Sequence, residues 1–442
     1  MFYSTTVRCA AICLVAASLT NLKARSQDVS TAKAVPVTRA EMLKALDALR
    51  HREARLPLPD AEAPPTTTAP ATTPIAGSPA AGSPGAGPTG AGSLGVVNNG
   101  RLRSLYLPAE FQTRTPQPAG NNSDQLPYEF STELFWIVSR VNNCHYCLGH
   151  QEAKLQAVGV TEQTLLELDT DWSKFPVSQA AAFKFARQLS FAPQSISGQD
   201  IDALRNHFTD QQILEIAYLV GRYNSTNRWT DSLGIPQEGH RDFTSALAES
   251  EVNLPSQVAI NGFPERVSFT SYASWKSEFE KQSTRKPRLE FAIADSGNTL
   301  LPHEQLLASL PAAGSVMTEQ LKNAALVGEL PKSLRNKIAF VAAREDRAWY
   351  MQHVARQRLL SDGLDDEIIF SLGDSNSGDS ADDAALRFAK KLTLQPQSMT
   401  DGDIEALSKH FSVKQIAEIV YHTGLAAMLD RLTEVAGLGW QG

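Results

Sequence analysis

Two cysteines and a nearby histidine form the group of residues that points most directly to a chemistry. Cys144 and Cys147 stand three residues apart in the string NNCHYCLGH, which ends at His150. Asn142 and Asn143 precede them and are good helix N-cap residues, so we predict that a helix begins at Cys144. In the first turn of a helix the macrodipole stabilises a thiolate, and two cysteines at this spacing share one face. The pattern therefore indicates thiol redox chemistry.

Two further residues could move protons at this pair. His150 follows Cys147 by three residues and could exchange a proton with its thiolate. Glu133 belongs to the apolar segment ELFWIVSRV, so its carboxylate is expected to lie in surroundings of low dielectric constant. Such a carboxylate either pairs with His150 or takes up a proton itself. We therefore predict that Cys144, Cys147, His150 and Glu133 are the catalytic residues.

Other uses of the cysteine pair stay open at this point. A zinc site could take both cysteines and one of His145 or His150, but no fourth ligand stands at ligand spacing. Attachment of a c-type haem needs a histidine directly after the second cysteine, and Leu148 occupies that position. A buried structural pair is a further alternative. We predict that the protein has no metal and no cofactor.

The whole chain is long, mildly acidic and poor in cysteine. It has 442 residues, a formal net charge of -7 and four cysteines. This length suits more than one domain of about 150 residues. The charge excludes a general nucleic-acid binder, because such proteins usually carry a basic patch. No run of about 20 apolar residues exists, so we expect no transmembrane span.

Residues 1–25 have the features of a secretory signal. Arg8 provides a positive charge, the string AAICLVAASL (10–19) provides a short apolar core, and small residues follow. We therefore expect a secreted or periplasmic protein. Cleavage would remove Cys9 and Cys13 and leave one local cysteine pair, which is not the disulfide framework of a small secreted domain.

Two segments precede the main part of the chain. Within 26–60, the apolar residues of 38–55 recur with helical spacing and predict a short amphipathic helix. Residues 61–99 consist mainly of Ala, Gly, Pro, Ser and Thr, which predicts a flexible linker without a core.

The remaining residues contain an internal duplication. The string FKFARQLSFAPQSISGQDIDALRNHF (183–208) matches LRFAKKLTLQPQSMTDGDIEALSKHF (386–411) at an offset of 203 residues. Both copies show helical periodicity and no run of alternating strands, so we predict an all-α fold made of two helical bundles. We place the two domains at 100–240 and 288–442, with a connection at 241–287 and a loop-like front at 100–127.

The string SRVNNCHYCLGHQ, the apolar helix before it and the later string YNSTNRWTDSLGI together resemble the carboxymuconolactone decarboxylase superfamily, in its alkylhydroperoxidase D-like branch. The resemblance spans about 120–236 and about 300–438. It implies a small all-α fold that assembles into trimers or hexamers, so we expect a homo-oligomer. It also implies that the cysteine pair reduces a hydroperoxide substrate and is recycled by a dithiol reductant.

The resemblance implies a role for each residue of the site. Cys147 would be the attacking thiolate and Cys144 its disulfide partner, which condenses with the sulfenic acid formed on the first sulfur. The family places its relay histidine at the position of Gln151 and its relay glutamate at that of Thr132. His150 and Glu133 are each displaced by one residue, which turns a helical side chain by about 100°.

The second copy lacks this chemistry. Ala348 and Met351 occupy the positions of the two cysteines, and Lys337 occupies that of Glu133. We expect this copy to supply the surface of a neighbouring subunit, so that one chain forms a pseudo-dimer. The sequence thus predicts an exported thiol-dependent peroxidase or disulfide reductase, of the peroxiredoxin type that reduces alkyl hydroperoxides. The alternative is a non-catalytic binding or scaffold module with a structural disulfide.

Overall fold

The computed structural model describes residues 34–58, 97–112, 126–260, 269–291 and 300–441. Every regular element in these ranges is a helix, apart from one isolated bridge between Thr38 and Pro255. The all-α class predicted from the sequence is therefore confirmed. The predicted signal and most of the predicted linker lie outside the described residues.

The helices fall into two series joined by a short connection. The first series is α1 (Arg39–Ala48), α2 (Asn99–Tyr106), α3 (Tyr128–Val141), α4 (His145–Ala157), α5 (Glu162–Thr170), α6 (Val177–Phe191), α7 (Gly198–Arg205) and α8 (Asp210–Ser232). The connection contains α9 (Glu249–Val252) and α10 (Tyr272–Lys281). The second series is α11 (Pro302–Ala308), α12 (Gly314–Leu326), α13 (Lys332–Asp346), α14 (Trp349–Ser361), α15 (Asp366–Ser371), α16 (Ser380–Leu394), α17 (Asp401–Ser408) and α18 (Val413–Ala436). None of the described helices is long and apolar enough to cross a membrane.

The duplication seen in the sequence recurs in the backbone. Helices α3 and α4 begin 204 residues before α13 and α14, and α6, α7 and α8 begin 203 residues before α16, α17 and α18. Irregular positions recur as well: Asn143 and Arg347 each have a φ of 52°, and Gly159 and Gly363 have φ values of 96° and 91°. The two copies therefore share one helix order and the same turns.

Helix starts are specified by local polar residues in both copies. The Ser197 side chain caps α7 by accepting from the backbone N–H of Asp200, whose carboxylate accepts from the N–H of Ser197 at 2.8 Å. Thr209 caps the long helix α8 in the same way, and Ser412 caps α18. Each such cap satisfies backbone donors that the first helical turn leaves free, typically contributing about 1 kcal/mol.

The long helices α8 and α18 pack against each other through a reciprocal pair of glycines. A Cβ atom on Gly221 would lie 2.9 Å from the carbonyl oxygen of Met428, and a Cβ on Gly424 would lie 2.8 Å from the Oγ of Ser225. Gly221 and Ser225 correspond to Gly424 and Met428 at the offset of 203 residues. Each copy thus presents the same surface to the other, as the subunits of a two-fold dimer do.

A second reciprocal contact joins the copies through buried arginines. Arg228 donates from Nη2 to the carbonyl oxygen of Thr393 at 3.2 Å, and Arg431 donates from Nη2 to that of Ser190 at 2.7 Å. Both guanidinium groups are almost fully buried, and Arg431 also pairs with Asp346 at 2.9 Å. Removing a partner would leave a buried charge uncompensated, which is strongly destabilising.

The front of the first copy is a helix where the sequence predicted a loop over 100–127 and a linker up to residue 99. Helix α2 forms there because the side chain of Asn98 accepts from the N–H of Arg101 at 2.8 Å and Leu102 is fully buried. The prediction was wrong in this part, since a single buried leucine gives no periodicity that could reveal the helix.

The predicted helix at 38–55 is shorter than expected and packs on the first copy. Helix α1 is followed by a short 3-10 turn at Leu49–His51. Arg39, at its start, is fully buried and forms ion pairs with Glu152 and Glu162. Arg241, from the connection after α8, pairs with the same two carboxylates. Two distant segments of the chain are thereby held against α4 and α5.

Candidate active site

The cysteine pair lies at the turn between α3 and α4. Helix α4 begins at His145, one residue later than predicted, and Cys144 is its N-cap. Asn142 is the C-cap of α3, and Asn143 has the left-handed conformation that asparagine tolerates better than most residues. The two asparagines therefore shape the turn and do not cap α4 as the sequence had suggested.

The turn is fixed to α8 by asparagine side chains. Nδ2 of Asn142 donates to Oδ1 of Asn224 at 2.9 Å and to Oδ1 of Asn227 at 3.0 Å. Asn227 in turn donates to the hydroxyl of Ser139 at 3.1 Å. All four side chains are buried, where each satisfied hydrogen bond removes a large desolvation penalty. The cysteines are thus held at a set position relative to α8.

One hydroxyl group of α8 contacts both cysteines. Oγ1 of Thr230 lies 3.1 Å from Sγ of Cys144 and 3.1 Å from Sγ of Cys147. Both cysteines are free thiols, and they are 0% and 2% exposed. The structure therefore brings together the two cysteines that the sequence predicted, and it adds a threonine that the sequence did not reveal.

Cys147 is an acidic thiol in this environment. Burial alone would raise its pKa, but hydrogen bonds with Cys144, Thr230 and Asn227 outweigh that effect and hold the pKa of Cys147 below its ordinary value. Its place in the first turn of α4 adds the favourable field of the helix N-terminus. These contacts stabilise a thiolate on Cys147.

A cation from α2 lies over the same part of the site. The guanidinium of Arg103 stands 4.7 Å from the ring centre of Trp229, and its Nε donates to Oδ1 of Asn99 at 3.1 Å. Burial lowers the pKa of Arg103 to about 10, and its charge interacts with that of Cys147. Arg103 was missed in the sequence because it stands in the segment predicted as a loop.

Glu133 is buried in α3, with 3% of its surface exposed. Burial, together with the charge of Glu129, raises its pKa to about 8. Its Oε2 atom has no hydrogen-bond partner among the described residues. Two roles were predicted for Glu133. The structure does not pair it with His150, whereas its buried surroundings agree with uptake of a proton.

His150 faces a different carboxylate. Its Nδ1 lies 3.0 Å from the carbonyl oxygen of Tyr146, and its Nε2 lies 3.7 Å from Oε2 of Glu238. Glu238 also accepts from the hydroxyl of Tyr146 at 2.7 Å and lies 2.7 Å from Nε2 of His240. Burial opposes the charge of Glu238, but its interactions with His150, Tyr146 and His240 lower its pKa to about 2.

The loop after α8 is fixed to the first turn of α4. Nε2 of Gln237 donates to the carbonyl oxygens of His145 and Tyr146 at 2.6 and 3.1 Å. A Cβ atom on Gly149 would lie 2.2 Å from that same Nε2, so only glycine leaves room for this contact. Gln237 and Glu238 belong to the string QEGH (237–240), for which the sequence predicted no role.

The second copy holds a cavity near its Met351, the residue that replaces Cys147. The cavity has a volume of about 340 Å³ and is lined by apolar and polar side chains, and Arg358, His422 and Asp430 are among the polar ones. His422 Nε2 and both carboxylate oxygens of Asp430 are buried without a hydrogen-bond partner in the described part of the chain. Asp430 corresponds in the duplication to Asn227 of the cysteine site.

Comparison with known proteins shows a distant likeness. No protein family model matches the chain. The chain is similar to the uncharacterized protein YdfG of Bacillus subtilis (strain 168), with 22% identity over 101 residues, which are 22% of this chain and 68% of that protein. An identity of 22% assigns no family to the chain.

Proposed function

We propose that this protein is a thiol-dependent oxidoreductase that reduces hydroperoxides through Cys144 and Cys147. The observation that carries the proposal is the contact of both sulfur atoms with one hydroxyl, that of Thr230, at the start of a helix. The resemblance of the cysteine string to the alkylhydroperoxidase D-like branch of the carboxymuconolactone decarboxylase superfamily supports it.

The reaction would proceed in three steps, namely oxidation of Cys147 by the hydroperoxide, condensation of its sulfenic acid with Cys144, and reduction of the disulfide. The thiolate of Cys147 attacks the terminal oxygen of the hydroperoxide, the O–O bond breaks, and a sulfenic acid forms. The alkoxide that leaves takes up the proton that Cys147 lost on ionising, and departs as an alcohol. The thiol of Cys144 then displaces water from the sulfenic acid and forms the disulfide. An external dithiol returns two electrons and two protons to the pair.

The surroundings of the pair suit these steps. Thr230, Asn227 and Cys144 stabilise the thiolate on Cys147, and the charge of Arg103 favours the same ionisation. Burial keeps Glu133 protonated at neutral pH by raising its pKa to about 8, and the proposal assigns it the role of an acid. We propose from the signal-like residues 1–25 that the reaction occurs outside the cytoplasm, with a dithiol reductant that is present there.

A peroxidase assay with two cysteine variants tests the proposal. Full-length protein is given tert-butyl hydroperoxide and dithiothreitol, and consumption of peroxide is followed. We expect Cys147→Ser to reduce turnover at least about 100-fold, because the variant lacks the attacking sulfur. Cys144→Ser should accumulate a sulfenic acid on Cys147 that dimedone labels. Met351→Leu, at the matching position of the second copy, is the control. Unchanged turnover in Cys147→Ser would refute the proposal.

A binding or scaffold module is the second candidate function. It is favoured by the burial of both sulfur atoms and by the cavity of the second copy, in which His422 and Asp430 keep polar atoms without partners. In this case the pair would form a structural disulfide. A reduction potential below about -300 mV, together with no turnover of peroxide, would select this candidate.

A further inference from the structure

Three electron-pair donors converge beside the start of α4. They are Nε2 of His150, Oε2 of Glu238 and Nε2 of His240, and suitable ligand atoms of the three residues lie within 4.8 Å of one another. The distances from Oε2 of Glu238 to the two nitrogens are 3.7 and 2.7 Å. Ligand atoms of a tetrahedral zinc site with bonds of 2.0–2.1 Å stand about 3.3 Å apart. Small side-chain movements would therefore place all three around one ion.

His150 already has the tautomer that a metal ligand needs. Its Nδ1 lies 3.0 Å from the backbone carbonyl oxygen of Tyr146, which can only accept, so Nδ1 carries the hydrogen. In the neutral ring, Nε2 of His150 then has a lone pair that faces a carboxylate oxygen of Glu238 at 3.7 Å. Two electron-rich atoms facing each other are stabilised when a cation lies between them.

The carboxylate is oriented by a neighbour as well. The hydroxyl of Tyr146 donates to Oε1 of Glu238 at 2.7 Å, which leaves Oε2 directed at the two histidines. Metal-binding histidines in proteins usually donate their other ring N–H to a carbonyl or carboxylate oxygen, and metal-binding carboxylates usually accept a hydrogen bond from a neighbour. Both kinds of contact are present here. Gln237 holds the backbone next to Glu238 against α4.

We propose that His150, Glu238 and His240 bind a divalent first-row transition ion such as Zn²⁺. Two imidazoles and one carboxylate suit such ions, whereas Ca²⁺ and Mg²⁺ prefer oxygen ligands alone. The side chain of His240 is 46% exposed, so the fourth coordination position would open toward solvent. The site would join the cysteine-bearing helix to the loop after α8. It does not depend on the proposed function, because no cysteine is a ligand.

Metal binding by the full-length protein tests the site directly. After treatment with a chelator, wild-type protein is titrated with Zn²⁺ by calorimetry, and with Co²⁺ by absorption spectroscopy. We expect one ion per chain and a Co²⁺ spectrum without the charge-transfer band that thiolate ligands produce. His240→Ala and Glu238→Gln should each weaken binding at least about 100-fold, and Tyr146→Phe about 10-fold. His207→Ala, an exposed histidine outside the cluster, is the control.

Thermal unfolding separates loss of binding from loss of folding. Zn²⁺ should raise the melting temperature of wild-type protein and of His207→Ala, but not that of His240→Ala, whose melting temperature without metal should match the wild type. Equal Zn²⁺ affinity in wild type and His240→Ala would overturn the proposal. A thiolate-to-cobalt band would overturn it too, since the cysteines would then be the ligands. Absence of Zn²⁺ binding to the wild-type protein would also overturn the proposal.

Discussion

The hydroxyl oxygen of Thr230 lies 3.1 Å from the sulfur of Cys147, although the two residues are 83 positions apart in the chain. The same oxygen lies 3.1 Å from the backbone carbonyl of Thr226, one turn earlier in α8. A hydroxyl hydrogen rotates freely, so it can leave that carbonyl and point at a thiolate when one forms. Part of the stabilisation of charge on Cys147 thus comes from a helix outside the cysteine string.

Replacing Thr230 by valine should make Cys147 less acidic. The variant keeps the shape of the side chain but loses the donor, and a hydrogen bond to a charged group contributes about 1.5–3 kcal/mol. We expect the rate of alkylation of Cys147 by iodoacetamide at neutral pH to fall about 10-fold, and its pH profile to move to higher pH. Thr433→Val, the counterpart in the second copy, should leave the profile unchanged. Identical profiles for Thr230→Val and wild type would contradict the assigned role.

Glu133 should make the protein less stable as the pH rises. Its pKa is raised from 4.5 to about 8, so in this range the native state binds a proton that the unfolded state has lost. The free energy of unfolding therefore falls between about pH 4.5 and pH 8, by up to about 4 kcal/mol for a shift of this size. Urea unfolding at pH 5 and pH 8 should show this fall in wild type and a smaller one in Glu133→Gln. Equal pH dependence in both proteins would show that Glu133 is ionised.

His422 should limit stability at acid pH. Burial and the charge of Arg335 lower its pKa from 6.5 to about 3, so the native state stays neutral while the unfolded state takes up a proton. Stability is then lost as the pH falls from about 6.5 toward 3, by about 1.4 kcal/mol per pH unit. His422→Leu introduces the residue found at the matching position, Leu219. Its stability should change less between pH 6.5 and pH 4.5 than that of wild type or of His410→Ala, an exposed control.

An alanine at the crossing of α8 and α18 should destabilise the protein. In Gly221→Ala the new Cβ would lie 2.9 Å from a backbone oxygen of Met428, which cannot rotate away. Such overpacking costs about 1–3 kcal/mol, more than the gain in helix propensity of about 1 kcal/mol. Gly198→Ala, where nothing lies within 4 Å of the added atom, is the control and should be neutral or stabilising. Equal unfolding free energies for the two variants would show that the helices separate without cost.

The sequence predicted those features that depend on short stretches of chain. Helical periodicity gave the all-α class, and the spacing of Cys144 and Cys147 gave the pair that the structure brings together. The start of α4 was placed one residue early, because Asn143 takes the left-handed conformation in place of capping the helix. Asparagine is favoured both as a helix N-cap and in the left-handed conformation. The packing of the turn on α8 selects the left-handed conformation for Asn143.

Partners from distant parts of the chain could not be predicted. Pairing with His150 was one of the two roles predicted for Glu133, yet His150 faces Glu238, which follows it by 88 residues. Thr230 contacts the cysteines only because α8 packs beside the turn. Helix α2 and its Arg103 were missed, since a helix with one fully buried residue carries no periodic signal. Such contacts depend on tertiary packing between distant segments, and local sequence patterns do not predict that packing.

The reciprocal glycines of α8 and α18 join two halves of one chain, and not two separate subunits. Two separate subunits meeting through this surface would come apart at low concentration, whereas halves on one chain meet at a fixed effective concentration. The support that α18 gives to α8 is therefore independent of how much protein is present. In a dimer of identical chains every substitution occurs twice, but here a change in one half leaves the other untouched. The half containing Ala348 and Met351 could thus lose its thiols while Cys144 and Cys147 were retained.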